Sequence, residues 1–356
     1  MRSTRAPSRR TSWSSDMADR ISTCPKSMRR GPCGGADRDG GCEVDGRPCP
    51  FLVVPPQYLD VGMRPVEGLA LDLPRPWILV DTRDLHDDPR PESWADVARA
   101  LEGCTALIGE HADRSINDVA ELLVVVEVLA EHGVPCIVTV TGRDRSLDQA
   151  GELIARLGAA GVLAVHCVTG DHPAAVGIDR PARWGSESFD MITAGALAGV
   201  PVTVAESPAS PGPRASRLAA KQDAGASAVV LNHCGGVDDL VAFAANARDA
   251  GWTRPLVAPV PMIATADAAR RLARFPGLRL PDGLLDAITH STDPVADGLR
   301  AAAELTASIA ASGSFQGINL SGPASDRTPL ERRRMTTRFV DVTRQAWQAA
   351  PCDGAR

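Results

Sequence analysis

Two groups of residues in this chain have the types and spacing to do chemistry. The first is four thiols, Cys24, Cys33, Cys42 and Cys49, close together in a stretch too short to build its own core. Four thiolates suit a tetrahedral zinc ion or one [4Fe–4S] cluster, and spacing alone does not choose between them. Reduced thiols without metal are the remaining alternative. The second group sits at the ends of short apolar runs: Asp81; Thr139, Thr141 and Arg143; Thr169, Gly170, Asp171 and His172; Glu206; Asn232, His233 and Cys234; Asn319. Carboxylates, an amide and a histidine that converge on one rim fit proton-transfer chemistry at a small-molecule site. Singly, each is an ordinary loop residue or helix cap. Glu206 reads either as a substrate contact or as an ion-pair or cap residue. His233 reads either as a pocket acid or donor or as a satisfied rim residue. His166 lies inside its run and reads as a core histidine.

These residues need elements to position them, and the chain supplies a regular alternation. Eight mostly apolar runs, Trp77–Asp81, Thr105–Gly109, Pro135–Thr141, Val162–Val168, Val200–Glu206, Ala228–Asn232, Leu256–Pro261 and Ser314–Ser321, read as parallel strands covered on both faces. Amphipathic stretches fall between them, among them Asn117–His132, Ser146–Leu157, Asp238–Ala250, Thr265–Arg274 and Pro294–Ala311. Eight strand–helix units in about 250 residues is the size of a (β/α)₈ TIM barrel, with its active site at the carboxyl ends of the strands. A doubly wound open sheet is the structural alternative. No GxGxxG follows the first strand, which argues against a dinucleotide-binding Rossmann domain.

The domain reading is a disordered leader over residues 1–23, a cysteine-rich metal-binding segment over 24–56, the barrel over 70–325 and a helical tail over 326–356. The leader carries five arginines and many serines but no apolar stretch, so it is not a secretory signal, and Met17 is an alternative start. Arg332-Arg333-Arg334 reads as a solvated helix face. The chain has 356 residues and a net charge of −6, which disfavours nucleic acid or anionic membrane as a general partner. No apolar run reaches membrane-spanning length. Thiols used this way point to the cytoplasm, where disulfides are rare. Only two lysines occur, Lys26 and Lys221, and each marks a place where arginine does not replace a compact ammonium.

Several strings resemble the methylenetetrahydrofolate reductase family. Val168-Thr169-Gly170-Asp171-His172-Pro173 is similar to its "RGD-x-P" segment, and Lys221-Gln222-Asp223-Ala224-Gly225-Ala226 to its "K-x-DAGA" segment. Asn232 stands where the family has glutamine, and Phe275–Pro281 is similar to its "V-x-x-P" stretch. The order is kept over roughly residues 77–322. The cysteine stretch, Cys24-Pro25-Lys26, Gly31-Pro32-Cys33-Gly34-Gly35, Gly41-Cys42-Glu43-Val44 and Cys49, resembles the "CPK…NGPCGG…CEV…C" motif of the family's C-terminal domain, here placed before the barrel. That domain occurs in reductase fusions and partner subunits.

The resemblance implies reduction of 5,10-methylenetetrahydrofolate to 5-methyltetrahydrofolate, with hydride passing from NAD(P)H through FAD or FMN. It implies that Asp81 matches the family's strand-one glutamate as the acid, and that Asp171 sits at the flavin pyrimidine edge and orients folate. Thr139, Thr169, Gly170 and Lys221 would contact flavin, and Asn232 would hydrogen-bond the pterin; Glu206 and His233 are substrate-contact candidates from their strand-end positions alone. Thr169 replaces the family's arginine, and Val204-Ala205-Glu206 lacks its strand-five aromatic residue. Two routes therefore stay open: flavin held by other contacts, or hydride passing directly from nicotinamide to folate. Two further functions also stay open: a folate barrel in another one-carbon or methyl-transfer reaction, and a non-catalytic subunit of a reductase or electron-transfer complex.

Overall fold

The structure, a computed structural model, describes residues 23–52, 65–71, 74–83, 85, 90–110, 119–275, 277–325 and 327–351. The expected leader with Met17 lies outside the described residues apart from Thr23, as does Pro276 of the motif after the seventh strand.

Eight parallel strands close into a barrel in sequence order. They are β1 (Trp77–Asp81), β2 (Thr105–Ile108), β3 (Cys136–Thr141), β4 (Ala164–Val168), β5 (Val202–Glu206), β6 (Ala228–Leu231), β7 (Leu256–Ile263) and β8 (Gly317–Ala324). β8 returns to pair with β1, with Leu79 opposite Asn319. Ten α-helices of the described residues surround the strands: α1 (Pro91–Ala100), α2 (Val119–Glu131), α3 (Leu147–Ala159), α4 (Ser188–Leu197), α5 (Arg214–Asp223), α6 (Val237–Asp249), α7 (Ala266–Ala273), α8 (Leu284–Thr289), α9 (Pro294–Ala311) and α10 (Pro329–Ala349). The fold is the expected (β/α)₈ barrel, not the open sheet.

Local chemistry sets the element ends. Ser146 and Gln149 form a reciprocal capping box at α3, and Thr328 and Glu331 form another at α10. Asp293 caps α9 with Pro294 as its first residue. Strand residues alternate between two apolar layers. The outer layer, with Val80, Val138, Val165 and Val229, packs on the helices. The inner layer, with Trp77, Leu79, Leu107, Ile137, Ala228, Val230 and Val257, fills the barrel. Trp77 lies at the amino-terminal end of β1, its indole N–H donating to Thr105 Oγ1 at 3.0 Å. Gly317 is required beside it, because a Cβ there would lie 2.0 Å from the Trp77 carbonyl oxygen. The apolar plug leaves the carboxyl-terminal mouth as the polar end.

β7 and β8 run further than the sequence suggests, to Ile263 and Ala324, because they pair with each other across a bulge between Pro261 and Ile263.

Candidate functional site

The cysteine segment is seated on the mouth of its own barrel. Met28 and Phe51 are fully buried at its centre, with Cys24, Cys33 and Cys49 packed on them. All four expected cysteines line one cavity of about 190 Å³. All four are free thiols. Among the described residues no three thiol, imidazole or carboxylate groups are gathered as a single metal ion would need. Burial raises the Cys24 thiol to about 11 against the lowering effect of backbone N–H groups, and burial raises Cys42 and Cys49 too.

The segment is held by α4, α5 and the β5–α5 loop. Arg214 donates to Cys33 O at 2.9 Å, and Ser210 Oγ lies 2.7 Å from Gly34 O and 3.0 Å from Ala36 O. Arg217 donates to Arg30 O. Arg29 and Arg30 pair with Asp190, and their backbone N–H groups reach Glu187. Gly277 closes against the segment from the other side: a Cβ there would lie 2.2 Å from Gly34 O.

Beneath the segment lies a buried charge cluster. Glu206, at the end of β5, receives Lys221 Nζ at 2.7 Å and Arg214 at 3.4 Å. Burial alone would raise the Glu206 carboxyl, but Lys221, Arg214 and Arg217 outweigh it and hold it at about 2. Lys221 also donates to Ala205 O, and burial pulls it below the ordinary lysine range. Glu206 and Lys221 thus stand together, enclosed, with one another as partners. Arg214, Arg217 and Lys221 form one stripe of α5 at spacings of three and four.

The loop after β4 is fixed through three consecutive carbonyls. Thr169 O accepts from Trp184 Nε1 at 2.8 Å, Gly170 O from Lys26 Nζ at 2.8 Å, and Asp171 O from Arg143 at 2.9 Å. Gly170 has φ +89°, and a Cβ there would meet Thr141 Cβ at 2.9 Å, so only glycine suits this turn. The backbone is anchored while the Asp171 residue stays exposed. Lys26 pairs with Glu43 and lies 5.8 Å from the Trp184 ring, which stacks on His172. Burial would lower Lys26, but Cys33, Glu43 and Asp171 together keep it charged. Arg143 is itself steadied by Glu110, which also takes Thr141 Oγ1 at 2.8 Å and Arg145 at 2.6 Å.

The other side of the mouth is less charged. Asp81 is half-buried at the end of β1 and accepts from Arg83 N at 3.0 Å. Thr139 shares the inward parity of Ile137 and is half-buried level with His166. His166 is buried, lies 3.0 Å from Thr203 Oγ1, and is lowered to about 4 by burial and then by Lys221, so it is neutral at pH 7. His233 is lowered to about 4 by burial and reaches across to Ser321 Oγ at 2.8 Å. Asn232 is exposed and donates to Ser207 Oγ at 2.7 Å. The two expected catalytic carboxylates, Asp81 and Asp171, therefore stand three strands apart.

Glu110, Trp184, Ser207 and Ser321 were not singled out from the sequence. The α5 stripe was legible as R-x-x-R-x-x-x-K, and Trp184 as a tryptophan in a polar loop of a chain with few aromatic residues.

A closed parallel barrel with a polar carboxyl-terminal mouth defines the class as a (β/α)₈ protein. The chain matches the family model described as Methylenetetrahydrofolate reductase over residues 108–320, more than half its length, and it belongs to that family. Residues 16–63 match the model described as Methylene-tetrahydrofolate reductase C terminal. No curated protein matches the chain. Among solved structures, an uncharacterized protein from Clostridium thermocellum that binds two copies of 5-methyl-5,6,7,8-tetrahydrofolic acid is similar at 12% identity, over 76% of this chain and 96% of that one, with a TM-score of 0.55. Dihydropteroate synthase from Thermus thermophilus is similar at 18% identity, over 81% of this chain and 99% of that one, with a TM-score of 0.46. The first of these likenesses concerns the fold alone. No helix among the described residues is long and apolar enough to cross a membrane.

Proposed function

We propose that the barrel binds a reduced folate in its mouth and reduces 5,10-methylenetetrahydrofolate to 5-methyltetrahydrofolate, with hydride from a reduced nicotinamide. The observation that carries this reading is the family match over the barrel, with Asp81 half-buried on the open side of the mouth. The similar fold of the methyltetrahydrofolate-binding protein supports a folate as the ligand.

The chemistry requires the bond between N10 and the methylene carbon to break. A proton goes to N10, and hydride adds to the iminium carbon left on N5, which becomes the methyl group. Asp81 would donate that proton, as a carboxyl at the rim of a partly dry pocket can. Asp171, on its fixed loop, would orient the folate from the opposite side, with Thr139 and Asn232 as further contacts. Glu206 is committed to Lys221 and Arg214, so it serves the mouth by holding α5 and not as a free ligand for substrate.

The family's flavin does not fit the residues as they stand. Lys221, the expected flavin contact, is buried and spent on Glu206, and the cysteine segment covers the adjacent loops. The steps above need no flavin. Four thiols line one cavity of the segment, and four thiolates are the ligand set of a [4Fe–4S] cluster. Cys24, Cys33, Cys42 and Cys49 would hold it, and it would supply one-electron transfer when bound. The position of the thiol segment on the mouth favours a second reading, a subunit that exchanges electrons with a reductase or other protein partner.

The test is anaerobic. The purified protein is assayed for NADH or NADPH oxidation with 5,10-methylenetetrahydrofolate, and the product is identified by mass spectrometry. Formation of 5-methyltetrahydrofolate, with a hundredfold or greater loss in Asp81→Asn, is expected; full turnover in that variant removes Asp81 from the role. Folate binding without nicotinamide oxidation by the isolated chain, together with a co-purifying partner, selects the second reading. Iron and sulfide analysis tests the thiol site separately: Cys33→Ser should lower both, and unchanged content rules out that ligand.

A further inference from the structure

An amide oxygen without a hydrogen-bond partner lies below the open side of the mouth. Asn319 is on β8, level with Leu79 of β1 and Pro259 of β7. Leu79 belongs to the layer that fills the barrel, so Asn319 shares the inward face at the top of that layer. The residue is 6% exposed, and its Oδ1 is buried with no hydrogen-bond partner. Its level neighbours cannot supply one: Leu79 has an apolar side chain and Pro259 has no N–H. The groups above it are half-buried and polar. Asp81 and Ser321 lie two residues further along β1 and β8, and Ser321 is already engaged by His233. Most buried polar atoms in folded proteins are paired, and an unpaired one is costly. An orphan of this kind at the bottom of a binding mouth is what remains when the partner is a ligand.

We propose that Asn319 is a ligand-binding residue whose Oδ1 accepts an N–H from a heterocycle entering the mouth. Resting on the function proposed above, that heterocycle is the amino-pyrimidine edge of a reduced pterin. The edge carries N–H donors in the ring plane, and a planar amide at the floor of a barrel can meet it edge to edge. Asn319 would thus set how deep the pterin sits and which way round, with Asp81 one step above it toward the rim. A ligand with an acceptor in place of that donor would face the amide oxygen with like polarity and be rejected.

The experiment measures the affinity of the full chain for 5-methyltetrahydrofolate by calorimetry, beside its stability in urea. The chains compared are the unchanged protein, Asn319→Leu and Asn319→Ala. Leucine replaces the amide with an apolar group of similar shape, so Asn319→Leu should keep or raise the urea midpoint while binding folate about tenfold or more weakly. Asn319→Ala should weaken binding similarly, whatever its stability. Equal affinity in the unchanged and leucine proteins overturns the assignment of Asn319 and leaves folate binding standing. A drop in affinity that occurs only with a drop in stability, in both variants, also overturns it, because the role is then structural. An unchanged protein that binds no reduced folate overturns the reading of the whole mouth, and Asn319 with it.

Discussion

The two sides of the barrel mouth are built on opposite principles. The side formed by β4, β5 and their loops carries buried ions: Glu206, Lys221, Arg214 and Arg217, roofed by the cysteine segment. The side formed by β1 and β8, with His233 reaching over from β6, carries the half-buried Asp81, Ser321 bonded to a neutral histidine, and Asn319 with an unpaired amide oxygen. In the sequence both sides read as polar strand ends of one kind. The difference lies in how each strand-end group is partnered. Glu206 has three cations around it, whereas the amide oxygen of Asn319 has no partner.

The widest test of this contrast is acid. An unfolded histidine takes its proton near pH 6.5, but His166 and His233 do so in the folded chain only at about 4. Between those values the unfolded chain binds more protons, so stability should fall as pH drops through that window. The loss is about 3 kcal/mol for each histidine by its lower end. Glu206 has the opposite window: its contribution is kept above its unfolded value of 4.5 and fades only as pH falls toward about 2. Urea titrations from pH 7 to 4 should show the slope, and His233→Gln should remove about half of it. A flat profile would mean that the histidines are not sealed from water.

Glu206→Gln should cost about 3–5 kcal/mol, because it leaves Lys221, Arg214 and Arg217 buried without their counter-charge. Urea denaturation measures it, and a cost under about 1 kcal/mol would place the cluster in water rather than beneath the segment. Gly277→Ala should cost about 1–3 kcal/mol, since φ is +66° and the added Cβ meets the Gly34 carbonyl. Its signature is local: faster amide exchange in residues 24–52 with the barrel strands still protected. Exchange that speeds up equally everywhere would show that the segment is not a separately held layer. The smallest effect belongs to Ser321→Ala, which removes the His233 contact for about 1 kcal/mol.

Some of this was legible in the chain and some was not. The runs at β1 and β3 and the helix that opens at Pro294 follow from local apolar patterning and caps, and the structure reproduces them within a residue or two. Helix α5 escaped that kind of reading for a physical reason. A search for an amphipathic helix looks for an apolar stripe, and the buried stripe of α5 is cationic, made of Arg214, Arg217 and Lys221. Its burial is acceptable only because Glu206 and the carbonyls of the cysteine segment meet it, and those partners are distant in sequence. The same limit applies to Lys26, whose role depends on Gly170 O across 144 positions.

The sequence by itself determined that the protein is a (β/α)₈ barrel preceded by a thiol-rich segment with the motifs of the reductase family. Periodicity, capping and turn residues act over a few positions, and short motifs are read where they stand. Only the tertiary structure decided that the thiol segment sits on the mouth, that Lys221 and Glu206 neutralise each other, and that Asn319 is left without a partner. Each of those facts depends on which distant group arrives within hydrogen-bonding distance, and closure of the barrel sets that meeting.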